Sequence, residues 1–417
     1  MSKNNENKLV PRLRFPEFLK EGNWEDKILK QVSDVTSGQS PSGISYNEEG
    51  IGTPFYQGKT DFGDIFLKEP TKWTTEPTKF ANADEILMSV RAPVGALNIS
   101  TQKICIGRGL AAIQPKVNKW FLYYFLSRIK DRIIGNGGSV FDSINKEQIE
   151  KISVLIPQEQ KEQQKIAACL SSLDDVITAE SKKLEVLKEH KKGLLQNLFP
   201  QEGETVPKLR FKEFENSGEW VESRLDDICK FIRGPFGGAL KKEIFVNDGY
   251  AVYEQSHAIY GDFTSFRYFI TEKKYNELKR FAVQPYDIIM SCSGTMGKFA
   301  IVPEESKKGV INQALLKLTV RNGYDTDFIK SSLELPLNQN KLLSQAAGGA
   351  IKNVVEVAQI KEIKLSIPSI EEQKKIASFL SSIDDLINAQ SQKIETLKLH
   401  KKGLLQGLFP DVNEHNG

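Results

Sequence analysis

The sequence predicts a mixed α/β protein: two similar globular domains joined by two long helices that pair as an antiparallel coiled coil, with pseudo-two-fold symmetry. Three observations predict it. The leader Val10-Pro-Arg-Leu-Arg-Phe15 recurs as Val206-Pro-Lys-Leu-Arg-Phe211, and Trp24 is matched by Trp220 at the same offset of 196. Residues 162–200 align without a gap with 372–410, and 27 of these 39 positions are identical. Between these anchors, short β-rich runs and glycine turns follow one another in the same order in both halves. A period of about 200 residues is too long for a solenoid, whose units run roughly 20–50, so the chain reads as two copies of one unit.

The frame divides into a leader over residues 1–23, a globular domain over 24–155 and a helical region over 156–200. A connector over 201–219 opens the second copy, with a domain over 220–366, a helical region over 367–410 and a tail over 411–417. Within the domains, Ile86–Val90, Ile104–Ile106 and Ile152–Ile156 read as strands, as do Ile288–Met290, Ala300–Val302 and Ala314–Val320. A helix is expected over Trp120 to Ile134 and another near Asp327 to Leu333. Trp120, Phe121, Tyr123, Tyr124 and Phe125 have the density of a core face rather than of a base-stacking platform. Gly95 and Gly297, Gly137-Gly138 and Gly348-Gly349, and Ile156-Pro157 and Ile367-Pro368 are matching punctuation.

Each helical region opens with Ile-Pro, a boundary signal, and continues in strong helix formers. The first glycines are Gly193 and Gly403, read as breaks, with Pro200 and Pro410 closing the segments. Apolar residues recur in 4-3 spacing. In the first copy they are Ile166, Leu170, Leu173, Ile177, Leu184, Leu187, Leu194 and Leu198. In the second they are Ile376, Leu380, Ile383, Ile387, Ile394, Leu397, Leu404 and Leu408. A heptad seam interrupted by Glu180, Lys191, Gln390 and Lys401 reads as a coiled coil of fixed register, and as an interface. At 1.5 Å per residue, 39 residues reach just under about 60 Å. Residues 157–200 hold seven lysines and seven acids, which suits contact with protein better than with DNA.

The composition excludes several classes. At 39% hydrophobic and 27% charged the chain is neither disordered nor fibrous. Cys105, Cys169, Cys229 and Cys292 lie far apart with no CxxC, the pattern of reduced thiols in a cytoplasmic protein. The polar start lacks the apolar stretch of a secretory signal, and no apolar run approaches the roughly 20 residues of a membrane span. No HExxH, GxSxG or S-adenosylmethionine motif occurs, and Gly294-Thr-Met-Gly-Lys298 lacks the spacing and hydroxyl of a P-loop. Catalytic and metal residues are therefore not expected.

The comparison between copies is more informative. Scaffold positions agree, whereas polar residues in the adjoining turns differ. Arg91 falls against Ser293, Arg108 against Gln313, Gly107 against Asn312, and Phe141-Asp142 against Lys352-Asn353. Gln57 and Lys59 lie in a loop opposite a segment holding Gln255 and His257. Arg233 and Lys298 complete the candidate DNA-binding set. Arg, Lys, Asn and Gln make the bidentate contacts to guanine and adenine edges, so the pattern suggests one frame carrying two readout sets. The charge adds little: residues 24–155 hold sixteen basic and fifteen acidic side chains, and 220–366 hold twenty and seventeen.

These features together resemble the specificity (S) subunit of Type I restriction–modification systems over essentially the whole length. Its signature is two recognition domains, each followed by a helical region beginning IP…EQ…I. Here that is Ile156-Pro157, Glu162-Gln163, Ile166, and again Ile367-Pro368, Glu372-Gln373, Ile376. The resemblance implies that each target recognition domain reads one half of a bipartite double-stranded DNA target. It implies helices that fix the spacer and dock two modification (M) subunits, which bind S-adenosylmethionine and methylate adenine. Restriction (R) subunits, using ATP and Mg, would join the assembly. It implies no cofactor and no catalysis in this chain. Two other readings of the residues are a stand-alone sequence-specific DNA-binding protein or repressor, and a coiled-coil adaptor that binds proteins.

Overall fold

The computed structural model describes residues 9–133, 143–236, 238–347 and 357–411, and resolves into two compact units. The first is Met1–Lys182 together with Gln392–Gly417, and the second is Lys183–Ser391.

In the first unit a four-stranded antiparallel sheet runs in the order Ser33–Ser37, Leu110–Pro115, Ile86–Ser89, Leu97–Ile99. Successive side chains of a strand point to opposite faces, and here both faces are covered. Ile86, Met88, Ala111 and Ile113 enter one core with Phe121, Tyr124 and Phe125 of the helix Lys119–Ile133. Their alternates Leu87, Leu110 and Ala112 enter another with Tyr56, Ile104 and Ile106. This is why these strands are continuously apolar. A second sheet of short strands stands on that other face, with Thr53–Tyr56 and Ile104–Ile106 paired in parallel.

The second unit repeats the plan. Its central sheet has the order Cys229–Arg233, Leu315–Val320, Ile288–Ser291, Phe299–Ile301. Its smaller sheet pairs Tyr250–Tyr253 in parallel with Gly309–Ile311. The expected helix near residue 327 is Thr326–Leu333, with Phe328, Ile329 and Leu333 fully buried. In each unit a two-stranded ribbon joins the domain to its helical region, Glu25–Ile28 with Ser153–Ile156 and Val221–Arg224 with Lys364–Ile367.

The long helices are Gln160–Leu198 and Ile370–Gly407. Gly193 and Gly403 do not break them, contrary to the sequence reading. Both sit in open space within the last turns, where the missing side chain costs only roughly 1 kcal/mol of propensity. The sixteen seam residues named above are all buried or half-buried. In the first unit Lys401 pairs with Asp174 and Lys393 with Glu180, so the partner index falls as the other rises and the helices run antiparallel. In the second unit Lys191 pairs with Asp384 at 2.6 Å, and Leu194 and Leu198 share a core with Ile376 and Leu380. Three of the four polar breaks in the seam are thus cross-helix ion-pair partners, and Gln390 is buried.

The recurring leader has a defined task. Arg14 donates from Nε and Nη2 to both carboxylate oxygens of Glu162 at 2.8 Å, and Arg210 does the same to Glu372. The adjacent Gln163 accepts from the Asn118 N–H, and Asn118 caps the helix that follows it; Gln373 accepts from the Asp325 N–H in the same role. The Glu-Gln pair therefore locks leader, long helix and domain helix together. Trp24 packs on Phe121 and Phe409, and Trp220 on Phe328 and Phe199. The Leu13 N–H donates to Gly407 O at 2.7 Å, and its counterpart Leu209 N–H to Asn197 O at 2.8 Å. The chain's end thus occupies in the first unit the place that the end of the first helix occupies in the second.

Candidate nucleic-acid interface

Backbone hydrogen bonds align the two copies. Gly38 N donates to Leu110 O and Gly234 N to Leu315 O; Gly107 N donates to Tyr56 O and Asn312 N to Tyr253 O. A Cβ on Gly38 would lie 2.1 Å from Gly107 O, and one on Gly234 1.8 Å from Asn312 O, so both glycines are required by the same close approach. Gly95 and Gly297 both hold positive φ, and Ser89 and Ser291 accept the N–H groups of Ala96 and Lys298. These bonds place Arg91 with Ser293 and Arg108 with Gln313, as the sequence alignment has them. They pair Gln57 with Glu254.

In the first unit Gln57, Lys59, Arg91 and Arg108 line one groove of about 670 Å³ with Lys68 and Thr60. The ends of the strands set this convergence: Val90 N donates to Gly109 O, which brings the segments carrying Arg91 and Arg108 side by side. All four expected side chains are exposed, and neither arginine has an ion-pair partner among the described residues. Lys68, which the sequence reading passed over, is brought in by a return turn: its Nζ donates to Thr60 O and its carbonyl accepts from the Tyr56 hydroxyl. Among the described residues no acid lines the groove.

The second unit is different in chemistry. One concavity of about 310 Å³ is lined by Lys242, Glu254, Tyr268, Asn312 and Gln313. Another of about 440 Å³ shares Glu254 and Asn312 and adds Gln255, Ser265 and Arg267. Gln255 is held by Thr295 O and the Ser293 hydroxyl, and Asn312 Oδ1 accepts from Ala314 N. Arg267 lies over the Tyr268 ring at 4.8 Å. Glu254 and Arg267 went unnoticed in the sequence; the run Ser265-Phe-Arg-Tyr-Phe269, basic among aromatics, was the available signal.

Two expectations change. Residues 255–260 form a short helix, and His257 is 3% exposed. Its Nδ1 accepts from Glu254 N, its Nε2 faces Ser265 O, and its ring stacks on Phe266, so it braces the turn and does not face solvent. Arg233 is half-buried and donates to Gln313 O at 3.2 Å, supporting the turn from below. Gly294 to Lys298 joins two antiparallel strands, Ile288–Ser291 and Phe299–Ile301, so no helix follows it as in a P-loop; Lys298 is exposed there. Lys352 and Asn353, with Phe141 and Asp142 opposite, lie outside the described residues. Among the described residues no group of three His, Cys, Asp or Glu could hold a metal ion, and no helix is long and apolar enough to cross a membrane.

The family model for the Type I restriction modification DNA specificity domain matches twice, over residues 21–189 and 217–399. The chain belongs to the specificity-subunit family of Type I restriction–modification systems. As an S subunit it is the non-catalytic DNA specificity component and carries two target recognition domains.

Curated relatives come from Methanocaldococcus jannaschii. The specificity subunit assigned to the type I restriction enzyme MjaX is 44% identical over 183 residues, a match spanning only 42% of this chain and 42% of that relative. The type I restriction enzyme MjaVIII specificity subunit is 24% identical over 95% of this chain and 93% of its own length. Among solved structures, the S subunit of a Type I restriction–modification system from M. genitalium superposes over 97% of this chain and 100% of its own. The TM-score is 0.59 at 16% identity. A chain from a type I system solved for its complex assembly and conformational transition covers 93% and 97%, with TM-score 0.59 and 14% identity. At these identities the likeness is one of fold.

Proposed function

We propose that this S subunit reads a bipartite double-stranded DNA target, one half per recognition domain. The domain over 24–155 would read through the groove of Gln57, Lys59, Arg91 and Arg108, and the domain over 220–366 through the concavities around Gln255, Asn312 and Gln313. The observation that carries this reading is the aligned frame: the same hydrogen-bonded turn presents Arg108 in one copy and Gln313 in the other. A scaffold repeated bond for bond, with different exposed polar groups on it, is what two different half-sites ask of one protein. Half-site separation in such a reader is a geometric property of the protein. We assign that spacing to the two long helices, and to their seam residues Ile166 to Leu198 and Ile376 to Leu408 the rigidity behind it.

On this reading the helices also dock two M subunits, which bind S-adenosylmethionine and methylate a flipped adenine. R subunits, with ATP and Mg, join the complex. Because each domain is nearly charge-balanced, the isolated subunit binds DNA modestly and the M subunits supply much of the phosphate contact. Mapping methylated adenines in the genome with and without the gene tests the whole: a bipartite motif that vanishes with the gene supports it. An unchanged methylation map in an otherwise active system refutes it.

A further inference from the structure

The two grooves differ in what their edges can hydrogen-bond to, and the register makes the difference assignable position by position. At the strand ends of the first groove stand Arg91 and Arg108, exposed and without an ion pair among the described residues. A guanidinium has only donors. Its planar fork fits the two acceptors, O6 and N7, on the major-groove edge of guanine. Adenine and cytosine present amino groups there, which an arginine cannot accept.

In the second groove the counterparts are Ser293 and Gln313. Gln313 is exposed, and its amide both donates and accepts, which matches adenine N7 and N6. Glu254 caps the helix Gln255–Tyr260 and lines both concavities beside it. Its carboxylate accepts only, so it disfavours the two acceptors of guanine and favours an amino edge. The groove's arginine, Arg267, is stacked on Tyr268 and is not at the strand-end positions.

We infer that the two halves of the target are chosen by opposite base chemistry: the half-site at the first domain is selected for guanine by Arg91 and Arg108, and the half-site at the second is selected for amino-bearing edges, adenine above all, at the position facing Gln313. This rests on the proposed reading that the grooves face DNA.

The test uses the complete methyltransferase complex and two exposed-residue exchanges at one equivalent position, Arg108→Gln and Gln313→Arg. Methylated motifs are mapped for each. Arg108→Gln is expected to lower the preference for one guanine, in one half-site only, on the order of ten- to hundredfold. Gln313→Arg is expected to bring a guanine into the other half-site. Where a variant methylates too weakly to map, selection of bound duplexes from a library with randomised half-sites by the same complex reads the same preference. Changes confined to one half-site each, but at positions that are not guanine in the first or adenine in the second, overturn the base assignment and leave the grooves as readers. Unchanged motifs from assembled, active complexes show instead that these grooves do not read DNA.

Discussion

The pairing of Arg210 with Glu372 ties the second leader to its long helix, and its removal has a calculable effect. Both side chains are nearly inaccessible, at 7% and 1%. The guanidinium makes two parallel 2.8 Å bonds to the carboxylate and a third to Gly218 O at 2.7 Å. Arg210→Met removes the three donors and strands a carboxylate away from water. Taking one partner from a buried pair costs about 3–5 kcal/mol, because the remaining charge is uncompensated. For a unit of roughly 200 residues, each kcal/mol lowers the midpoint by about 2–4 °C, so a fall of roughly 6–20 °C is expected in the second unit alone. Hydrogen exchange followed by mass spectrometry locates it: the ribbon Val221–Arg224 with Lys364–Ile367 should lose protection while Glu25–Ile28 with Ser153–Ile156 keeps it. The double variant Arg210→Met with Glu372→Met should recover most of the loss, since an apolar pair of similar size removes the stranded charge. A loss under about 1 kcal/mol for the single variant would put the pair in the class of exposed bridges and refute its role as the anchor of the leader.

Other outcomes follow from the same geometry. Phe409→Ala should cost the first unit about 3–5 kcal/mol, and Phe199→Ala should cost the second unit the same, because each ring is 1% exposed and packs on its unit's tryptophan; urea unfolding with unit-resolved exchange separates the two. Arg91→Ala or Arg108→Ala should relax one half-site by about 1–3 kcal/mol per lost base contact, read as methylation specificity, and leave the other half-site intact. Removing two turns from both long helices should alter the spacer of the recognised sequence, and an unchanged spacer would rule out the helices as its ruler. Burial pushes the thiol of Cys229 up to about 12 and that of Cys292 up to about 11. Iodoacetamide should therefore label half-exposed Cys169 in the native protein at pH 8 and spare these two. Because the fold favours their neutral forms, their contribution to stability is complete below the ordinary thiol range and declines as the pH rises towards 11–12.

Much of the architecture was written in patterns with long reach. The strands around Ile86, Ile104, Ile288 and Leu315 are apolar on both faces, and the seam of the helices repeats at heptad spacing, so periodicity alone finds them. Most strands of the smaller sheets escaped because strands such as Tyr46–Asn47 and Trp73–Thr74 have two residues each, too few to show a period. Lys317 reads as a solvent position in an apolar strand. It is buried, paired with Asp287 at 3.2 Å and donating to Ala282 O, a partnership between distant segments that no local pattern announces. The groove was legible in part. Gln57, Lys59, Arg91 and Arg108 were found by comparing copies, whereas Lys68 depends on a turn that only the fold closes. His257 misled for the converse reason: a polar residue in a variable stretch reads as exposed, and its two ring nitrogens were already engaged.

The Leu13–Gly407 hydrogen bond has a consequence for synthesis. The second unit is one contiguous stretch, Lys183–Ser391, whereas the first needs residues from both ends of the chain. Domains usually complete in order from the N-terminus as they leave the ribosome. Here the order is reversed: the first unit waits about 200 residues, tens of seconds at roughly 5–20 residues per second, until Leu404, Leu408 and Phe409 emerge to close its core. During that interval the N-terminal half lacks the side chains that close its core, and a ribosome that stalls between Ser391 and Leu404 holds a chain whose later unit is finished and whose earlier unit is not.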